Sequence, residues 1–187
     1  MTTRTTEKSR LLYARVAGFT FLFYIAAGIT SMVIDELTQV TDVLSLLMTL
    51  SALVLGVMLY ALTREQEPIL AMLAMMCRVL EAISSEATQA PIFFAVGSTI
   101  FCWLLLRGRM IPAPLAWLGL AASILLVVIL PLQIAGLFGG PMAWSAGITW
   151  FVWLPMLVFE LVFALWLLIK GVEMPAANVS AAPVGAD

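Results

Sequence analysis

From Ala14 to Lys170 the chain reads as six apolar runs separated by short polar or proline-marked breaks, and no other feature limits its fold so tightly. A run of about 20 apolar residues matches the hydrocarbon thickness of a bilayer at about 1.5 Å per helical residue. In lipid every backbone N–H and C=O must be satisfied within the protein, so spans of this length are helices. Composition closes the soluble alternative: 63% of the 187 residues are apolar and 11% are charged, against about 45 to 50% and about 25% in a soluble domain. A globular core of this size has nowhere to hide that surface. The expected fold is an all-α integral membrane protein, a six-helix transmembrane bundle.

Helices are expected at 14–34, 42–63, 68–88, 91–107, 114–137 and 145–170. Asp35, Glu36 and Asp42 bracket the first break, with Thr41 or Asp42 as the cap of the second helix. Pro68, Pro91 and Pro114 stand at helix starts, where a missing N–H costs nothing, and Gly139-Gly140-Pro141 interrupts the chain before the last helix. Gln89-Ala90-Pro91 hardly breaks the apolar pattern. Yet one helix from Pro68 to Arg107 would run about 60 Å, twice the hydrocarbon thickness, so a turn is required there. Residues 14–172 then form one transmembrane domain, flanked by a basic tail at 1–13 and an Ala/Pro/Val-rich tail at 173–187, both expected to be mobile. The first run ends at Ile29–Asp35 without a small-residue cleavage pattern and is read as a retained helix.

Basic residues orient the bundle. With the amino terminus inside, Arg4, Lys8, Arg10, Arg15, Arg64, Arg107, Arg109 and Lys170 all fall on the cytoplasmic side, as the positive-inside rule requires. Both termini are therefore expected in the cytoplasm, and the membrane is expected to be a bacterial plasma membrane. Trp144, Trp150 and Trp153 near the outer end of the sixth helix and Trp166 near its inner end fit aromatic belts. The net charge of -2 and the short basic clusters suit a lipid surface and speak against nucleic acid. Histidine is absent, which removes histidine-ligated haem, most zinc sites and histidine general bases. There is no Ser-Lys pair and no metal-ligand spacing, and Lys170 lies at a membrane edge. No enzyme activity, metal or cofactor is expected. Cys77 and Cys102 sit in apolar runs and are read as packing residues.

Arg78, Glu81 and Glu160 are the residues that point to chemistry, because ionisable groups at bilayer depth are rare and mark functional sites by default. Arg78 lies about 15 Å beyond Pro68, and Glu160 about 15 Å before Lys170, which places both near the midplane. Equal depth predicts an ion pair between them, with Glu81, three residues on and nearly on the same helix face, as a second acceptor. Ser84, Ser85 and Thr88 extend that face outward as a polar stripe that must meet protein or water. Two readings follow. In one, the stripe lines an outward-open cavity that binds a small polar solute, an ion or a proton. In the other, the charges only specify helix packing, and the hydroxyls bond back to their own helix. Pro131 and Pro155 lie inside the fifth and sixth helices and free the carbonyls of Val127 and Phe151. Ala14 with Gly18, Ala52 with Gly56 and Gly119 with Ser123 permit close helix contact, within one chain or between copies of a homo- or hetero-oligomer.

Four stretches resemble the bacterial membrane-protein family catalogued as domain of unknown function 4386, across about residues 15–172. They are Arg15-Val16-Ala17-Gly18 with Gly28, Arg78-Val79-Leu80-Glu81-Ala82, Arg107 to Pro112 with Trp117-Leu118-Gly119, and Glu160-Leu161 with Leu165 to Val172. The resemblance implies a multi-pass membrane fold in which Arg78, Glu81 and Glu160 are motif positions, and it implies no activity. The chain departs from the family pattern at Gly97, where longer members carry a histidine, and it lacks their extra residues before the fourth helix.

Overall fold

The computed structural model describes residues 2–33, 38–84, 88–137 and 147–172. Six α-helices make up the described residues: α1 Thr2–Val33, α2 Thr38–Thr63, α3 Pro68–Ile83, α4 Ala90–Arg107, α5 Ala113–Ile134 and α6 Gly147–Ile169. Each helix packs on its neighbours in sequence, and α6 returns to α1, so the bundle is a closed ring of six. Five of the helices are long and apolar enough to cross a bilayer. The chain is an all-α multi-pass membrane protein.

α3 completes the ring but is short. Its 16 residues reach about 24 Å, less than the roughly 30 Å of hydrocarbon. The expected end at residue 88 is corrected: α3 stops at Ile83, and Ser84 is extended, with its N–H closing the last turn on Leu80 O at 2.9 Å. Serine competes for backbone hydrogen bonds and favours helix ends over interiors. Position 88 therefore belongs to the turn before α4.

Other boundaries also moved. α1 is helical from Thr2 and α2 from Thr38, so the 1–13 segment read as a tail is helical from its second residue, and Thr41 and Asp42 lie inside α2 instead of capping it. Apolar periodicity marks the stretch in lipid. A helix extends beyond it wherever water or partners satisfy its ends. Arg10 is one such partner: it is buried in an ion pair with Glu65 from the α2–α3 turn. Arg107 reaches Glu67 of the same turn at 3.8 Å. The start of α1, the α2–α3 turn and the end of α4 thus share one end of the bundle, called here the basic end. The 173–187 tail, Asp35, Glu36, Glu86, Trp144 and Gly139-Gly140-Pro141 lie outside the described residues.

Within lipid, helices gain little from hiding apolar surface and associate through close packing. The three small-residue pairs serve that purpose inside the chain. A Cβ on Gly18 would stand 2.6 Å from Ala164 O of α6, one on Gly56 would stand 3.0 Å from Arg78 Cβ of α3, and one on Gly119 would stand 2.5 Å from the Phe159 ring of α6. Phe159 in turn stacks on Phe163 at 5.3 Å between centroids, and Phe163 meets Phe21 edge-on at 5.7 Å, tying α5, α6 and α1 together. α6 ends at Ile169, and Gly171 just beyond it, with a φ of +78°, returns its N–H to Trp166 O at 3.1 Å. Cys77 and Cys102 are buried free thiols. Pro131 and Pro155 lie within α5 and α6.

Candidate functional site

α3 is wedged between two glycine-bearing helices. Gly56 of α2 meets Arg78 directly, and a Cβ on Gly97 of α4 would fall 3.0 Å from Cys77 Cβ and 3.2 Å from Ala74 O. A side chain at either glycine would push α3 outward. Their absence lets α3 sit close enough that Arg78 is 2% exposed. Its guanidinium carbon stands 5.1 Å from the Phe94 ring centroid and 6.0 Å from that of Tyr24. Desolvated contacts of this kind contribute up to about 2 kcal/mol.

The ion pair differs from the expected one. Arg78 Nη1 approaches Glu81 Oε2 at 2.7 Å, one turn along the same helix, and Glu160 is not within ion-pair distance of Arg78. Equal depth was the right inference for a flat ladder, but in a ring two residues at one depth can stand at different angles around the axis. The Arg78–Glu81 contact is close without being aligned: Glu81 Oε2 accepts no hydrogen bond, and Arg78 Nε and Nη2 have none to donate to. Tyr24 of α1 donates its hydroxyl across the ring to Glu81 Oε1 at 3.3 Å.

Beyond this cluster, toward the end opposite the basic one, lies a cavity of about 300 Å³. Glu81 and Glu160 both line it, with Tyr24 from α1, Ser45 and Thr49 from α2, and Ser84 from the end of α3. Phe94 and Trp153, whose rings pack at 5.5 Å, close it on the α4 and α6 side. The cavity opens where α3 stops short. Non-helical backbone at membrane depth is tolerated where it is buried in protein or borders water, and Ser84 satisfies that condition. Arg78 does not line this cavity. It lines a void of about 20 Å³ nearer the basic end, among Phe101, Met156, Phe159 and Phe163. The guanidinium therefore holds Glu81 from behind while the carboxylates face the open space.

Of the polar stripe, Glu81 and Ser84 reach the cavity, Thr88 is exposed in the following turn and does not, and Ser85 lies outside the described residues. The stripe fails at Thr88 because the helix that would have carried it has ended. Thr49 bonds back to Ser45 O at 2.9 Å, as several membrane hydroxyls here do. Tyr24, Ser45, Thr49 and Phe94 were not singled out from sequence, and Trp153 was read as part of an aromatic belt. A tyrosine in the apolar middle of α1, whose polar tip needs a partner, was the available signal for the first, and the i,i+4 spacing of Ser45 and Thr49 was the signal for α2.

Residues 86–171 match the family described as Domain of unknown function (DUF4386). The match takes in α4 to α6 with Glu160 and the Leu165–Gly171 motif, whereas Arg78 and Glu81 precede it. No curated protein and no solved structure matches the chain.

Proposed function

We propose that this chain binds a small polar solute or ion in the cavity between α2, α3, α4 and α6, with the basic end in the cytoplasm and the cavity facing outward across a bacterial plasma membrane. The observation that carries the reading is the pair of carboxylates, Glu81 and Glu160, on one cavity of about 300 Å³ at membrane depth. Carboxylates there are costly, by about 2.5 to 3.5 kcal/mol each on insertion scales, and that cost is offset where a ligand or water meets them. The Arg78–Glu81 pair lies within one helix, so it does not by itself fasten one helix to another. Binding and passage, not bond chemistry, is the proposed role.

A structural reading keeps one supporting observation. The Tyr24–Glu81 hydrogen bond joins α1 to α3, which are not neighbours in the ring. Accessibility separates the two. Single cysteines at Ser45, Ser84 and Val57, in a Cys77→Ala/Cys102→Ala background, are exposed to a membrane-impermeant maleimide. Reaction at Ser45 and Ser84 is expected, with Val57, which faces lipid, inert. If all three stay inert while a cysteine at Thr88 reacts, the polar cavity is not hydrated and the structural reading stands.

A further inference from the structure

An apolar groove of about 240 Å³ lies between α1 and α6, walled by Ile25, Gly28 and Ile29 on one side and Trp150, Leu154 and Leu157 on the other. Tyr24, Met48, Trp153 and Glu160 line both this groove and the polar cavity, so the two spaces adjoin across these four side chains. Ile29, Trp150 and Leu154 are each about half exposed on the bundle surface, and in a membrane that surface is lipid. A polar cavity flanked by an apolar groove on the lipid face is not needed for an ion arriving from water. It is the shape required by a molecule with a polar head and an apolar chain.

The charge of the head follows from what faces the space. Glu81 and Glu160 line the cavity, and both are more than nine-tenths buried. Glu81 Oε2 is held by Arg78, whereas among the described residues Glu160 is in no ion pair or hydrogen bond. Arg78 is the cluster's single cation and is withdrawn from the cavity, leaving one carboxylate more than there are positive charges. The last carbonyls of α3 add negative partial charge at the same wall. Tyr24 and Trp153 line the cavity with aromatic rings, which attract ammonium groups. An anionic head would meet two carboxyl groups with no cation facing it, whereas a cationic head can pair with either.

We infer that the ligand is a monovalent cationic amphiphile, an ammonium or quaternary ammonium head on a hydrocarbon chain, that reaches the cavity sideways from the bilayer between α1 and α6. Its head sits between Glu81 and Glu160, and its chain lies along Ile25, Ile29 and Leu154. The inference rests on the polar-cavity reading above and names its ligand class and route.

The test uses the full chain with Cys77→Ala, Cys102→Ala and a single cysteine at Ser84, in phosphatidylcholine nanodiscs, labelled by a soluble maleimide. Decyltrimethylammonium, tetramethylammonium and decyl sulfate are added separately. Decyltrimethylammonium is expected to slow labelling at least tenfold at concentrations where the other two have no effect. Gly28→Leu fills the groove, since a Cβ there meets only Met48 Cε at 3.6 Å, and is expected to weaken protection at least tenfold. Glu160→Gln is expected to do the same and Glu160→Asp to retain protection. If Glu160→Gln does not fold, Gly28→Leu and Glu160→Asp still decide the matter. Equal protection by tetramethylammonium, undiminished in Gly28→Leu, would overturn the lateral route. Equal protection by decyl sulfate, or none by any compound, would overturn the cationic class. In these cases labelling at Ser84 without ligand leaves the cavity itself standing. Absence of labelling under every condition overturns the cavity and this inference with it.

Discussion

Replacing Arg78 by methionine removes a guanidinium from a site that is 2% exposed and strands the Glu81 carboxylate that Nη1 approaches at 2.7 Å. Charge centres about 4 Å apart attract by about 4 kcal/mol at an effective dielectric constant of about 20. The pair returns less than that in net stability, because Glu81 Oε2 lacks an aligned hydrogen bond and two guanidinium nitrogens have no acceptor. Breaking one partner of a buried pair nevertheless costs about 3 to 5 kcal/mol, since the other charge is left behind. Arg78→Met is expected near the lower bound, because Glu81 borders a cavity and keeps the Tyr24 hydrogen bond. The double variant Arg78→Met/Glu81→Gln should lose far less than the sum of the singles, with a coupling energy of about 1 to 3 kcal/mol. For Arg78 and Glu160, which form no ion pair, a smaller coupling than that of Arg78 with Glu81 is expected. Unfolding in mixed micelles of rising sodium dodecyl sulfate content, followed by circular dichroism, measures all three singles and both doubles. A larger coupling for Arg78 with Glu160 than with Glu81 would refute the reasoning and return the arginine's partner to α6.

Gly119→Ala drives a Cβ to within 2.5 Å of the Phe159 ring, so the ring must yield by about 1 Å to reach ordinary carbon contact; a loss of about 1 to 3 kcal/mol is expected in the same unfolding assay, with Phe159→Leu recovering much of it. Reporter fusions after Arg64 and Arg109 should read cytoplasmic and a fusion after Gln89 extracytoplasmic, and reversed signs at all three would turn the cavity toward the cytoplasm.

The solvent, the helical class and the number of helices were legible in the sequence for one reason. Lipid demands long apolar helices, and a run of apolar residues records that demand locally, without reference to any neighbour. The same logic found Arg78, Glu81 and Glu160, because a charge stands out in an apolar run. Helix ends were less legible: α3 stops at Ile83 where the helical spacing of Ser84, Ser85 and Thr88 suggested a face continuing to 88, since serine is as compatible with a polar helix face as with a helix end. What only the tertiary structure decided is the angle at which each residue stands around the ring. Depth along a helix can be counted from sequence, but rotation about its axis is set by packing, here by Gly56 and Gly97 clasping α3 and by Gly119 seating Phe159. That rotation sets Arg78 behind the cavity wall, against Phe94 and Tyr24, leaves Glu81 as its partner, and presents Glu160 to the space that opens beyond the end of α3. Identity and depth of the charged residues were thus properties of the chain, whereas which of them meet each other and which meet the cavity depended on how closely its glycines let the helices approach.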